Sequence, residues 1–174
     1  RNPTHGNYFW NRAVYHIGNM AAYEATGDGV YRDFSTAWAQ HNNWWGATST
    51  NKAEWKYKNY GEGSDYVFFG DNQVCFQVYA DLYTIEANTA LAGSPDETKI
   101  ARALEVMDYQ ISTSATDYLW WADGLFMVMP IVTKLYNITG NQTYLDKMYQ
   151  YWQYATRIMY DTETGLYYRD AKYV

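Results

Sequence analysis

Two aspartates stand where a carboxyl group could do acid–base work. Asp123 follows two indoles and precedes an apolar run, in Trp120-Trp121-Ala122-Asp123-Gly124-Leu125-Phe126-Met127-Val128-Met129-Pro130. Low dielectric disfavours the charged form of an acid, so a carboxyl group in such surroundings tends to keep its proton. An acid still neutral near pH 7 can donate that proton, a common catalytic task. Asp71, in Gly70-Asp71-Asn72-Gln73, opens a second apolar run and could supply a like-charge effect on Asp123. Asp is also a favoured helix N-cap, and a helix N-terminus lowers a carboxyl pKa. The residues alone leave capping and catalysis both open.

Helices must position these groups. The spacing predicts six, over 7–26, 30–42, 71–91, 95–112, 123–139 and 142–160. Thr26-Gly27-Asp28-Gly29-Val30-Tyr31-Arg32-Asp33 is echoed by Thr139-Gly140-Asn141-Gln142-Thr143-Tyr144-Leu145-Asp146. In each, one helix stops at Gly and the next starts after Asp or Asn, the chemistry of a tight helix–helix turn. Ala92-Gly93-Ser94-Pro95-Asp96-Glu97 makes a third such turn, with Ser94 as N-cap, Pro95 at the first helical position and Glu97 completing a capping box.

The helices alternate in character. The second (Val30, Phe34, Ala37, Trp38, His41), fourth (Ile100, Leu104, Met107, Ile111) and sixth (Tyr144, Met148, Trp152, Ala155, Met159) carry one apolar stripe each, as outer helices do. The third is apolar almost all round from Val74 to Ile85, and the fifth from Leu125 to Val132, as inner helices are. The first is intermediate. Pro130 is expected to kink the fifth helix or to cap a short first segment. Inner and outer helices in alternation describe an all-α fold, an (α/α)6 barrel of which these are the first three helical hairpins. Residues 1–174 then read as the N-terminal half of a single α/α-barrel catalytic domain. The long connections 43–70, 113–122 and 161–174 fall on one side, and the two inner helices start at that same mouth, so Asp71 and Asp123 are expected to converge there.

Composition narrows the partners. The net charge of −6 argues against nucleic acid. No apolar run reaches membrane-spanning length. Histidines 5, 16 and 41 do not form a metal-ligand pattern, and no metal or other cofactor is expected. The lone Cys75 sits in an apolar run and reads as a buried small hydrophobe. Among the 174 residues are 20 Tyr and 8 Trp, an excess that suits either a Tyr-rich helical core or aromatic walls in a sugar-binding cleft.

The run Trp121-Ala122-Asp123-Gly124-Leu125-Phe126-Met127, then Met129-Pro130, Lys134-Leu135, Ile138-Thr139-Gly140, Tyr144 and Asp146-Lys147-Met148, resembles glycoside hydrolase family 105. These are unsaturated rhamnogalacturonyl hydrolases, related to the unsaturated glucuronyl hydrolases of family 88. Asp71-Asn72-Gln73 with Tyr79 and Leu82-Tyr83 is similar to an earlier block of that family, and Gly165-Leu166-Tyr167-Tyr168-Arg169-Asp170 to a later one. The loop 44–66 departs from it.

The resemblance implies a six-hairpin barrel, with Asp123 as general acid/base and Asp71 as its partner. It implies release of a 4,5-unsaturated uronic acid from the non-reducing end of lyase-generated oligosaccharides of pectin, by hydration of the double bond and without a cofactor. The partners it implies are a small anionic oligosaccharide and the remaining half of the barrel. Trp121 and Trp10 are then substrate-binding aromatics, and Met127, one turn after Asp123, faces the same mouth. Arg169 stands where many family members carry a histidine, and it could grip the uronate carboxylate by bidentate hydrogen bonds. The competing readings are another two-carboxylate α/α-barrel glycosidase and a non-catalytic carbohydrate-binding helical protein.

Overall fold

The computed structural model describes residues 6–55, 67–89 and 94–173. They form α1 (Trp10–Thr26), α2 (Gly29–His41), the single turn α3 (Gly70–Gln73), α4 (Cys75–Thr89), α5 (Thr98–Ser112), α6 (Ala122–Thr139) and α7 (Thr143–Met159), with short 3-10 turns at Lys52–Glu54 and Ala171–Tyr173. Among the described residues the extended contacts are two isolated bridges, Trp121 with Asp170 and Tyr160 with Tyr167. The fold is all-α, made of α/α-barrel hairpins.

The echoed turns are built alike. Gly27 and Gly140 both adopt the left-handed conformation, φ 70°, and donate back to Tyr23 and Tyr136. Only glycine takes that backbone without a Cβ penalty. Asp28 Oδ1 then accepts from Val30 N at 3.0 Å, and Asn141 Oδ1 from Thr143 N at 3.1 Å. In the third turn, Ala92 and Gly93 lie outside the described residues. There α5 begins later than expected, and Ser94 does not cap it. Asp96 Oδ1 takes the Thr98 N–H at 3.0 Å and the Thr98 hydroxyl at 2.6 Å.

Helices α1, α4 and α6 form an inner arc, with α1 on α4 and α4 on α6, backed by α2, α5 and α7. The fully apolar helices are indeed the inner ones: Val74 to Ala80 is buried without a break. On α7 the stripe differs from expectation. Tyr151 is fully buried, whereas Trp152 is exposed and stacks on Tyr149.

Helix α6 runs through Pro130. Pro130 has no N–H for the Phe126 carbonyl four residues back. Gln77 of α4 fills that vacancy, its Nε2 donating to Phe126 O at 2.8 Å and to Met127 O at 3.0 Å. The expected third helix is divided at Val74 into α3 and α4. This division sets Asp71 on a turn of its own.

Candidate active site

The N-terminal ends of α1, α3 and α6 share one mouth. A cleft of about 700 Å³ opens there, lined by Phe9, Trp10, Val14, Phe69, Asp71, Trp120, Trp121, Asp123, Phe126, Met127 and Arg169. All six residues singled out in the sequence (Asp71, Asp123, Trp10, Trp121, Met127 and Arg169) face this one space.

Neither aspartate is a helix cap. The cap positions are Phe69 and Trp121, whose side chains make no capping hydrogen bond. Each Asp instead occupies the second position of its helix, with the carboxyl group turned to the cleft. The desolvation expected for Asp123 falls on Asp71. Asp123 is exposed, because Trp120 and Trp121 are themselves buried and do not cover it. Asp71 is half-buried, and burial together with the charge of Asp123 raises its pKa from 3.8 to about 6. Both causes penalise the ionised form.

The aromatic lining divides into packing and platform. Trp121 is 5% exposed and stacks on Phe69, with ring centroids 5.0 Å apart. It lies against two glycines: a Cβ on Gly70 would meet its ring at 3.3 Å and one on Gly124 at 3.2 Å. Met127, 6% exposed, presses on Gly70 from the same side. These two residues set the spacing of α3 and α6 and show the cleft little more than an edge. The open aromatic surface belongs to Trp10, 43% exposed, and Phe126, 48% exposed. The sequence reading passed over Phe126, Phe69 and Trp120. The first lay in an apolar helix that looked uniformly buried, although its position beside Met127 gave the signal.

Arg169 reaches the cleft through the turn after α7. Its carbonyl accepts from Ala122 N at 2.8 Å, which ties the turn to the start of α6. Its guanidinium donates to Asp170 at 2.6 Å. Asp170 is fully buried and also accepts from Lys172 N at 2.9 Å. The Arg169 side chain remains 63% exposed, the cation among the described lining residues. Among the described residues no group of three or more His, Cys, Asp or Glu is placed to hold a metal ion, and no helix is long and apolar enough to cross a membrane.

The fold has solved counterparts. A glycosyl hydrolase family 88 protein from Bacteroides vulgatus superposes with a TM-score of 0.89 at 54% identity, over 99% of this chain and 47% of that one. A structure described as a polysaccharide lyase superposes with a TM-score of 0.88 at 59% identity, over 97% of this chain and 45% of that one. A protein of Formosa agariphila described as an unsaturated 3S-rhamnoglycuronyl hydrolase is 24% identical over 173 residues, 95% of this chain and 41% of the relative. The chain thus spans less than half the length of these relatives. Its likeness to them takes in the cleft as well as the helices behind it: the family model of glycosyl hydrolase family 88 runs along residues 2–174, and the chain belongs to that family.

Proposed function

We propose that the full-length protein is a glycosyl hydrolase that releases a 4,5-unsaturated uronic acid from the non-reducing end of lyase-generated oligosaccharides. We further propose that its substrate is of the pectin, rhamnogalacturonan type, and that this chain is the N-terminal half of a single α/α-barrel catalytic domain. The observation that carries the reading is Asp71, held near pKa 6 by burial and by Asp123 in an aromatic cleft. Both carboxyl groups face the one cleft, so a proton held on Asp71 can reach the substrate through Asp123.

Asp123, at the exposed lip, delivers that proton to carbon 4 of the double bond. Water adds at carbon 5 and gives its proton back to the pair. The hemiketal so formed opens, and the glycosidic bond is lost as a consequence. The pair thus begins and ends the cycle with one proton. Trp10 and Phe126 offer ring faces to the sugar, and Arg169 offers a bidentate donor to its carboxylate. A second reading, β-elimination, draws on the solved relative described as a polysaccharide lyase.

One assay separates the readings. Full-length protein is incubated with unsaturated oligosaccharides and with their saturated parents, and the ultraviolet absorbance of the double bond is followed. Loss of absorbance on the unsaturated substrate is the expected result. A rise on the saturated one points to elimination. Cleavage of the saturated one without any absorbance change points to an ordinary two-carboxylate glycosidase, and no reaction on either to a non-catalytic binding protein.

A further inference from the structure

Buried cations on outer helices need a reason. Arg102 lies on α5, 5% exposed, and its guanidinium turns toward the connection that follows α2. It donates to the carbonyls of Gly46 at 3.2 Å, Ala47, and Ser49 at 2.8 Å. The guanidinium lies over two indoles, 4.9 Å from the Trp45 ring and 5.0 Å from the Trp55 ring. Its remaining edge pairs with Glu105 at 2.6 Å. Tyr79 of α4 adds a hydroxyl donor to Trp45 O at 3.0 Å.

The connection so gripped is strained. Asn43, Trp44 and Ala47 all have positive φ, 52°, 58° and 48°. Asn tolerates that backbone, but Trp and Ala adopt it only where the surroundings over-determine it. The strained segment ends against the turn that carries Asp71. A Cβ on Gly46 would overlap Cys75 Sγ and stand 2.9 Å from Asn72 O. On its other side the turn meets α6, where a Cβ on Gly70 would stand 3.1 Å from Met127 Cβ. Helix α3 is therefore held flush between two glycine contacts, one to a loop locked by Arg102 and one to the helix of Asp123.

We propose that Arg102 is a positioning residue for the carboxylate pair: by fixing the 43–49 backbone against the α3–α4 junction, it sets where Asp71 stands relative to Asp123. The proposal rests on the functional reading above for its link to turnover, but the geometry it asserts is measurable without turnover. The ionisable side chains lining the cleft with Asp71 are Asp123 from α6 and Arg169 from the turn after α7, while α1 contributes Trp10 and Val14.

The test uses full-length enzyme and the titration of the Asp71 carboxyl carbon followed by NMR, alongside kcat and KM. Arg102→Lys keeps the charge but cannot fork to three carbonyls. It is expected to move the midpoint down from about 6 toward the ordinary carboxylate range and to lower kcat about tenfold with little change in KM. Gly46→Ala pushes the junction from the loop side and is expected to act in the same direction. Adding Cys75→Ala to Gly46→Ala removes the overlapping sulfur and is expected to recover part of the loss.

A purely structural Arg102 would lower the melting temperature and leave both the midpoint and the kcat of folded enzyme at wild-type values. That outcome in both single variants overturns the proposal, and where Gly46→Ala does not fold, Arg102→Lys alone decides. If the wild type does not act on unsaturated oligosaccharides, the functional reading fails while the NMR midpoint still decides this one.

Discussion

The two ends of the same helix pair carry opposite electrostatic arrangements. At the mouth, where α3 leads into α4 and where α6 begins, Asp71 faces Asp123. Farther along, Asp81 of α4 faces Lys134 of α6 and makes an ion pair with it. Burial raises the pKa of both Asp71 and Asp81. At Asp81 the ammonium of Lys134 pulls it back, although Glu24 pushes the other way. At Asp71 the charge of Asp123 adds to the burial and carries it to about 6. At both places a half-buried Asp meets a group on α6, and the sign of that partner decides the role. An opposite charge makes a fastener, whereas a like charge makes a site that holds a proton at the cost of stability.

The largest expected effect breaks the comparison at the mouth. Asp123→Asn keeps the shape, makes Asp71 the only carboxylate there and removes a transferable proton. In full-length enzyme it is expected to lower kcat on unsaturated oligosaccharides by about 10²–10⁴-fold. The Asp71 midpoint should fall at the same time, because its like-charged neighbour is gone. A variant that keeps its turnover would show that the two ends do not differ in function as argued.

At the far end, Lys134→Met leaves Asp81 without its cation. The pair is partly exposed, so the expected loss is about 2–3 kcal/mol, below what a fully buried pair costs when broken. The urea midpoint reads it, and kcat should stay within about twofold of the wild type, since the pair lies outside the cleft. A large drop in kcat without loss of stability would mean that the far end also takes part in the chemistry.

Between the ends, Gln77→Leu leaves the Phe126 carbonyl without a donor, at a cost of about 1–3 kcal/mol. The loss should be smaller when Pro130→Ala is added, because residue 130 then supplies its own N–H to Phe126. A double variant no more stable than Gln77→Leu alone would refute this account of how α6 tolerates proline.

Much of this was legible in the sequence where local chemistry decides. The Gly27–Asp28 and Gly140–Asn141 turns, the alternation of inner and outer helices, and the convergence of Asp71 and Asp123 all follow from residue type and spacing. Features set by tertiary contacts were not. The division at Val74 comes with the close approach of Gly46 some thirty residues earlier in the chain. Asp96 rather than Ser94 takes the Thr98 N–H at the start of α5, a difference of two residues that capping patterns alone do not settle. The exchange of Tyr151 for Trp152 on α7 turns on one helical position, because adjacent aromatics fit a stripe about equally well on paper. Desolvation was assigned to the aspartate beside two indoles, but both indoles are buried, Trp121 against Gly70 and Gly124, and they leave Asp123 open. Neighbours in sequence told which groups meet at the mouth, while only packing told which of them is buried.

On stability, Asp71→Asn gives the smallest effect and the sharpest sign. In the unfolded chain this carboxyl ionises near 3.8, and in the fold near 6. Below the lower value both states hold the proton, so the group contributes nothing to pH dependence. Between the two values the unfolded chain releases its proton while the folded one keeps it, and folding becomes less favourable as pH rises. Above about 6 the penalty is complete and constant. Asparagine never ionises, so the variant should match the wild type near pH 3.5 and exceed it at pH 7–8. Because Asp71 is only half-buried, solvent screening reduces the gain to about 1 kcal/mol. At Asp81 burial also raises the pKa, but Lys134 pulls it back, so Asp81→Asn should gain less than Asp71→Asn between the same two pH values. Chemical denaturation of both variants at pH 3.5 and pH 7.5 reads the contrast directly. If Asp71→Asn proved less stable than the wild type at pH 7.5, the carboxylate at the mouth would be a fastener like its counterpart, and the distinction between the two ends would be lost.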